Sequence, residues 1–317
     1  MRTIFVGSTR LSRRCLDSIL AIQDIQMVGV ITNEPTFTIS YAPQGLKNVL
    51  YVDMAAYAKE RGIPWYMMRK TMTEPGLMAE LKVWRPELLI VAGWYHILPP
   101  SLLDSLIAVG LHASLLPDYS GGSPLVWAMI NGEQKTGMTL FRLADRVDAG
   151  PIIDQASIDI LPADTIATLY ERIELLGIKL LKENLSHIAK GTVVYTPQDE
   201  NRRRILPQRK PEDGRIEWNW SSQKIYDFIR AQTHPYPGAF TTFNKQKVHI
   251  WAAQLESADS WEERAVGSVY GTPAGTIRVN CGMKTTLDLI WVGLEGKDIL
   301  AEDWFFKFVK QDNAQFV

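Results

Sequence analysis

Cysteine is nearly missing from this chain: its 317 residues hold only Cys15 and Cys281. Two cysteines build neither a disulfide framework nor a cysteine-rich metal cluster, so no metal is expected. Long apolar runs are missing too. No window approaches the about 20 uninterrupted apolar residues of a membrane span, so no membrane partner is expected. Neither charge sign is in excess, since Lys+Arg 34 against Asp+Glu 35 leaves a net charge of -1. That disfavours a globally basic nucleic-acid binder and leaves a local patch open. The opening MRTIFVGSTR is apolar for too few residues to read as a signal peptide, and a cytoplasmic location is expected. There is no internal repeat and no low-complexity segment.

What is present is an ordinary globular composition, 46% hydrophobic and 22% charged. Such a chain can bury a core without staples, and at roughly 150 residues per domain its length suggests two domains. Ten tryptophans and 17 prolines are clustered rather than scattered.

Short apolar runs at Thr3–Gly7, Met27–Ile31 and Leu88–Ala92 read as buried strands. Leu11, Cys15, Ile19 and Ile22 keep helical spacing, and Met54–Arg61 and Leu77–Val83 read as further helices. Pro99–Ala108 reads as a helix with proline near its first turn, and Ile107–Gly110 as the strand that follows. Apolar strands alternating with helices imply a mostly parallel sheet covered on both faces. Thr139–Leu143 and Ile152–Ile160 are strand candidates, and Thr165–Ala189 is a long amphipathic helix with Asp164 as its expected N-cap. Beyond about residue 190 the pattern changes. The polar, proline-bearing stretch 198–213 reads as an interdomain linker. Ser221–Arg230 reads as a helix. Short strands at Lys247–Ala253, Gly267–Tyr270, Gly275–Val279 and Thr286–Trp291 suggest a small β-barrel or sandwich.

Chemistry concentrates in Leu111–Pro124, LHASLLPDYSGGSP. His112 falls at a strand end, where parallel sheets bind ligands. On position alone it reads either as a core histidine or as a site residue. The segment is neither a dinucleotide fingerprint nor a nucleophile elbow. Downstream, VDAGPII places Asp148 before Gly150, as a turn residue or as the carboxylate of an acid–base pair with His112.

The stretch GLHASLLPDYSGGSPLVWAMINGEQKTGMTLFRLADRVDAGPI resembles the signature region of formyltransferases that use 10-formyltetrahydrofolate. His112, Ser114, Leu115, Leu116, Pro117, Gly121, Pro124, Trp127, Gly132, Thr136, Gly137, Thr139, Asp148 and Gly150 all match that pattern in order and spacing. PEDGRIEW, IRAQTHPYPGAF and VHIWAA are similar to the C-terminal domain of methionyl-tRNA formyltransferases and amino-sugar N-formyltransferases. The resemblance implies an α/β fold. It has an N-terminal Rossmann-like, mostly parallel sheet over 1–197, a linker at 198–213, and a smaller β-barrel-like (OB-like) domain over 214–317.

It also implies a one-carbon transferase without a metal. An amine attacks the formyl carbon, His112 stabilises the oxyanion and helps protonate the folate nitrogen, and Asp148 supports the histidine and helps deprotonate the amine. The family's third catalytic residue is an asparagine two positions before the histidine, and here that position is Gly110. Loss of one oxyanion donor costs on the order of 10²–10³ in rate. Formyltetrahydrofolate hydrolysis, or folate binding with weak turnover, are therefore the non-transferase alternatives. An active enzyme is expected, one that Gly110→Asn does not silence. By the same resemblance the folate pocket falls on Gly93, Trp94, Tyr95, His96, Ile97, Leu98, Leu115, Leu143, Val147 and Asp148. Substrate-binding positions fall on Ser8, Arg10, Ser114, Tyr119 and Gly121.

Two acceptors compete. A tRNA enzyme needs basic surface to neutralise phosphates. The candidate patch is Arg202, Arg203, Arg204, Arg209 and Lys210, which otherwise reads as a solvated connecting loop. The near-neutral charge and a pI near 6.5 disfavour tRNA. RKPEDGRIEW followed by THPYPGAF is closer to the amino-sugar enzymes, so a small-molecule partner, a nucleotide-linked amino sugar, is expected. The aromatic C-terminal region could supply a homodimer surface.

Overall fold

Apolar runs flanked by turn residues become strands buried on both faces. In the computed structural model, which describes residues 1–39, 42–256, 261–309 and 314–317, Ile4, Phe5 and Val6 of β1 (Arg2–Val6) are fully buried. There follow α1 (Arg10–Ile19), β2 (Gln26–Thr32), β3 (Thr36–Ile39), β4 (Ala42–Lys47), α2 (Met54–Glu60) and β5 (Trp65–Met67). Next come α3 (Pro75–Trp84), β6 (Leu88–Val91), α4 (Pro100–Leu103), β7 (Ile107–His112), β8 (Ser120–Gly121) and α5 (Pro124–Ile130). Then β9 (Lys135–Arg142), β10 (Ile152–Asp159), α6 (Ile166–Ala189) and β11 (Ile205–Leu206) complete the first part.

The described chain divides into two compact units. The first gathers Met1–Pro124, Lys135–Asp159 and Glu171–Leu206. Its seven-stranded sheet has the order β10-β9-β7-β6-β1-β2-β5. The pairs β2–β5, β1–β2, β1–β6 and β6–β7 are parallel, while β9 and β10 add antiparallel strands at one side. One face buries Ile4, Val6 and Leu89 with Leu77, Leu81 and Trp84 of α3, and each such burial contributes about 1.5–3 kcal/mol. The turn from β1 into α1 is fixed locally: the Thr9 hydroxyl accepts from Ser12 N, and the Ser12 hydroxyl accepts from Thr9 N at 2.9 Å.

The second unit gathers Leu125–Gln134, Ile160–Tyr170 and Pro207–Val317. It holds α7 (Ser222–Arg230), β12 (Ala239–Phe243), β13 (Gln246–Leu255), β14 (Val269–Gly271), β15 (Ile277–Cys281), β16 (Thr285–Leu294), β17 (Lys297–Leu300) and α8 (Ala301–Phe308). Its strands form one antiparallel sheet, β12-β13-β16-β15-β14, and the far half of β16 also pairs β17. The clustered tryptophans fill this unit: Trp218 stacks on Phe316 at 5.2 Å and Trp304 is fully buried.

Two expectations need correction. The helix expected over Pro99–Ala108 is only Pro100–Leu103, because Ile107 and Ala108 pair as strand with Leu88 and Leu89. The N-cap of α6 is Thr165 rather than Asp164. Thr165 Oγ1 accepts from Thr168 N at 3.4 Å and Thr168 Oγ1 from Thr165 N at 3.0 Å. The Asp164 carboxylate instead closes the preceding turn through Leu161 N. Among the described residues no helix is long and apolar enough to cross a membrane, and no group of three or more His, Cys, Asp or Glu could hold a metal ion.

Candidate active site

Strands β1, β6 and β7 run parallel, so Ser8 and Gly93, just beyond the first two, and His112, at the end of the third, share the carboxyl end of the sheet. His112 is the last residue of β7, held by a hydrogen bond at one ring nitrogen and faced by a carboxylate at the other. Nε2 lies 2.8 Å from the Tyr119 carbonyl oxygen, and Nδ1 faces Asp148 Oδ2 at 3.6 Å. The two side chains keep 11% and 15% exposure, so both are shielded yet reachable.

Asp148 sits in left-handed backbone at φ 52°, a conformation that costs a non-glycine residue roughly 1–2 kcal/mol. Its neighbours enforce it. Oδ2 accepts from Gly121 N at 2.8 Å. Gly150 closes the turn so tightly that a Cβ there would meet Arg142 O at 1.7 Å.

The loop after His112 is braced internally. Thr139 Oγ1 donates to Ser114 O at 2.6 Å and accepts from Leu116 N at 3.1 Å. Gln155 Nε2 donates to Leu116 O and to Thr139 Oγ1, each at 2.8 Å. The Ser114 hydroxyl is buried and donates to Asp118 O at 2.7 Å, so it holds the loop. Leu115 packs against Gly137, where a Cβ would come within 2.4 Å of it.

Residues 198–206 touch both halves of this centre, which the sequence reading did not foresee. Gln198 Nε2 donates to Asp148 O at 2.8 Å and Gly150 O at 2.7 Å. Arg203 Nη2 donates to Val147 O, and its side chain is only 7% exposed. The Arg204 guanidinium lies 4.0 Å over the Tyr119 ring and pairs with Asp118 at 3.8 Å. Strand β11 pairs in parallel with β8, directly beside Gly121. The solvated-loop reading is therefore corrected for Arg203. It is corrected for Arg209 too, which burial holds below the usual arginine range and which lies 4.9 Å over Trp127.

The positions expected to line the folate pocket come from separate stretches, 93–98, 115 and 143–148, and differ in surroundings. Gly93, at φ 65°, lies so close to α1 that a Cβ would meet Thr9 Oγ1 at 1.9 Å. The Trp94 and His96 rings lie 5.3 Å apart, tilted by 48°, and each buries a ring nitrogen, Nε1 and Nε2, that has no hydrogen-bond partner. Burial also pushes the His96 imidazole below the ordinary histidine range. Phe37 stands 5.3 Å from the Tyr95 ring and 5.0 Å from the His96 ring, and the Tyr95 hydroxyl donates to Asn48 Oδ1 at 3.2 Å. Ile97 and Val147 are exposed, and Leu98 is buried. Leu143 packs on Gly110.

Of the expected substrate positions, Tyr119 and Gly121 are drawn together with His112 and Asp148. Ser8 joins a separate group with Gly93 and Asn48: Asn48 Nδ2 donates to Ser8 Oγ at 3.3 Å. Arg10 turns to the buried Glu174 at 3.0 Å, a carboxylate that also takes Arg14 at 2.6 Å. Sequence reasoning missed Gln198, Phe37 and Asn48. A two-residue strand and isolated amides leave no periodic signal.

Comparison with known proteins gives a consistent picture. The formyl transferase family model matches residues 1–185, and the formyl transferase C-terminal domain model matches residues 209–308. A methionyl-tRNA formyltransferase of Bacillus velezensis is 31% identical over 99% of this chain and 96% of its own length. Among solved structures, an N-formyltransferase from Helicobacter canadensis, in complex with folinic acid and dTDP-3-aminofucose, superposes with TM-score 0.64 at 17% identity, over 91% of this chain and 98% of that one. HypX from Aquifex aeolicus in complex with tetrahydrofolic acid gives TM-score 0.64 at 17% identity over 98% of this chain. This chain spans about half the length of that protein, 48%.

Proposed function

This chain belongs to the formyl transferase family, and from that premise we propose that it moves a formyl group from 10-formyltetrahydrofolate to the primary amine of a nucleotide-linked amino sugar. The observation that carries the reaction class is His112 held between the Tyr119 carbonyl and the Asp148 carboxylate at the open end of β7.

Attack of the amine on the formyl carbon builds negative charge on the formyl oxygen. A His112 N–H placed beside that oxygen stabilises it, and a preorganised donor of this kind is usually the largest single contribution in acyl transfer. The amine must lose a proton and the folate nitrogen must gain one as their bonds to carbon form and break. Asp148 accepts the first, directly or through water, and His112 delivers the second. The orphaned ring nitrogens of Trp94 and His96 fit a flat, polar pterin ring in the segment that the family resemblance assigns to folate. No side chain stands at Gly110, so the oxyanion relies on His112 and on main-chain or water donors.

Support for a small acceptor comes from the fate of the arginine patch. Arg203 is turned inward, Arg204 is paired and Arg209 lies over Trp127, so three of the five patch cations are engaged within the protein and only Arg202 and Lys210 stand exposed there without such a contact to set against phosphates. The second reading, the methionyl group of initiator tRNA, is favoured by the 31% identity to a methionyl-tRNA formyltransferase. Tetrahydrofolate release, followed with nucleotide-linked amino sugars and with methionyl initiator tRNA, separates the two. A kcat/KM at least about 100-fold higher for one sugar is expected, a difference of ~2.7 kcal/mol in transition-state binding. Higher turnover on the tRNA overturns the sugar reading. Release without any amine replaces it with hydrolysis.

A further inference from the structure

We infer that residues 198–206 form a positioning strap that sets the His112–Asp148 pair, with Gln198 as its central positioning residue. This rests on the catalytic reading of that pair. The strap grips both loops of the centre. On the aspartate side, the single Gln198 amide nitrogen has two hydrogens and spends them on Asp148 O and Gly150 O, at 2.8 and 2.7 Å. Arg203 takes Val147 O. The carbonyls of Val147, of the strained Asp148 and of Gly150 two residues on are thus held from one side, while Gly121 N holds the carboxylate from the other. On the histidine side, Arg204 O accepts from Ser120 N at 3.0 Å, and Leu206 O accepts from Gly122 N at 3.0 Å. Arg204 N donates to Pro117 O at 3.4 Å. Tyr119, whose carbonyl holds His112 Nε2, lies between these pinned residues.

A left-handed aspartate persists only where its surroundings over-determine it. Releasing Gln198 lets the peptides around Asp148 rotate and takes Oδ2 off His112, while the Gly93–Leu98 stretch, which the strap does not grip, keeps its place. Gln198→Met keeps the shape and removes both donated hydrogens, and Gln198→Ala is the second variant should the first fold poorly.

The test reads His112 directly. The ring Cε1–H signal is titrated by NMR in wild type, Gln198→Met and Asp148→Asn, with His112→Ala assigning the peak. Gln198→Met is expected to move the His112 midpoint in the direction of Asp148→Asn, with kcat for tetrahydrofolate release lowered about 10- to 100-fold. A merely structural staple lowers the melting temperature and leaves the midpoint of the folded fraction in place. A His112 midpoint at the wild-type value in folded Gln198→Met overturns the strap. Failure of the wild type to formylate any amine overturns the function instead, and the titration still decides the strap.

Discussion

Leu143 occupies the space that a side chain at Gly110 would enter: a Cβ there would lie 2.8 Å from Leu143 Cδ2 and 3.4 Å from its Cγ. The missing asparagine is therefore matched by a neighbour that has closed over its place. This refines the expectation for Gly110→Asn. Catalysis should survive, because His112 and Asp148 are untouched, but Leu143 must shift. Overpacking of this kind costs about 1–3 kcal/mol, a fall of several degrees in melting temperature. The double variant Gly110→Asn/Leu143→Ala should recover part of that loss beyond additivity, measured by denaturant unfolding of all four forms. Strict additivity would show that the two positions are not in contact.

The acid–base pair gives the sharpest activity prediction. His112→Ala removes the donor beside the developing oxyanion and should lower kcat by on the order of 10²–10³. Asp148→Asn keeps an acceptor for Gly121 N but removes the proton acceptor, and should cost about 10²-fold or more. Both variants should still bind tetrahydrofolate, read by equilibrium titration. Near-normal turnover in either would show that the pair does not carry the chemistry.

Much of this centre was legible because burial and chemistry leave local marks. β1, β2 and β6 are buried on both faces, so they appear as unbroken apolar runs. His112 and Asp148 stand in a motif of fixed order and spacing. What escaped has physical reasons as well. Leu102, Leu103 and Leu106 keep a helix-like spacing up to the start of β7, yet pairing of Ile107–Gly110 with Leu88–Val91 overrides it. Ile205 and Leu206 are too few to show any period. Gln198 and Arg203 look like linker residues until the fold turns their side chains onto the carbonyls around Asp148. The β3–β4 hairpin was not foreseen, and Phe37 within it reaches Tyr95 and His96. That contact is set by tertiary structure alone.

The two cysteines should be silent in the folded protein. Both are fully buried and free. Burial raises the Cys15 thiol far above its ordinary range and pushes Cys281 up to about 12. The thiolate is the reactive form, so at pH 8 neither should react with a disulfide reagent on the time of minutes. Unfolding returns both to the ordinary range near 8.5, and both should then react. Fast release of a thiol equivalent from the native protein would contradict the burial.

His96 should make the protein acid-sensitive. Its ring is desolvated among Trp94, Tyr95 and Phe37, so its folded pKa lies below the unfolded value of about 6.5. The sign follows from proton linkage. Below about pH 6.5 the unfolded chain takes up a proton that the folded ring resists, so stability falls as pH drops from there towards the folded pKa. Above that window the contribution is complete and flat. His96→Phe keeps an aromatic ring without the titrating nitrogens, and should flatten the loss of stability between about pH 6.5 and 5 while leaving stability at pH 8 little changed. The measurement is urea unfolding at a series of pH values for both proteins. Because the same ring stands in the segment assigned to folate, tetrahydrofolate affinity should weaken over the same window in wild type and lose that dependence in His96→Phe. If the two proteins lose stability in parallel on acidification, the acid-sensitive group lies elsewhere and the neutral His96 ring is not what keeps this aromatic cluster closed.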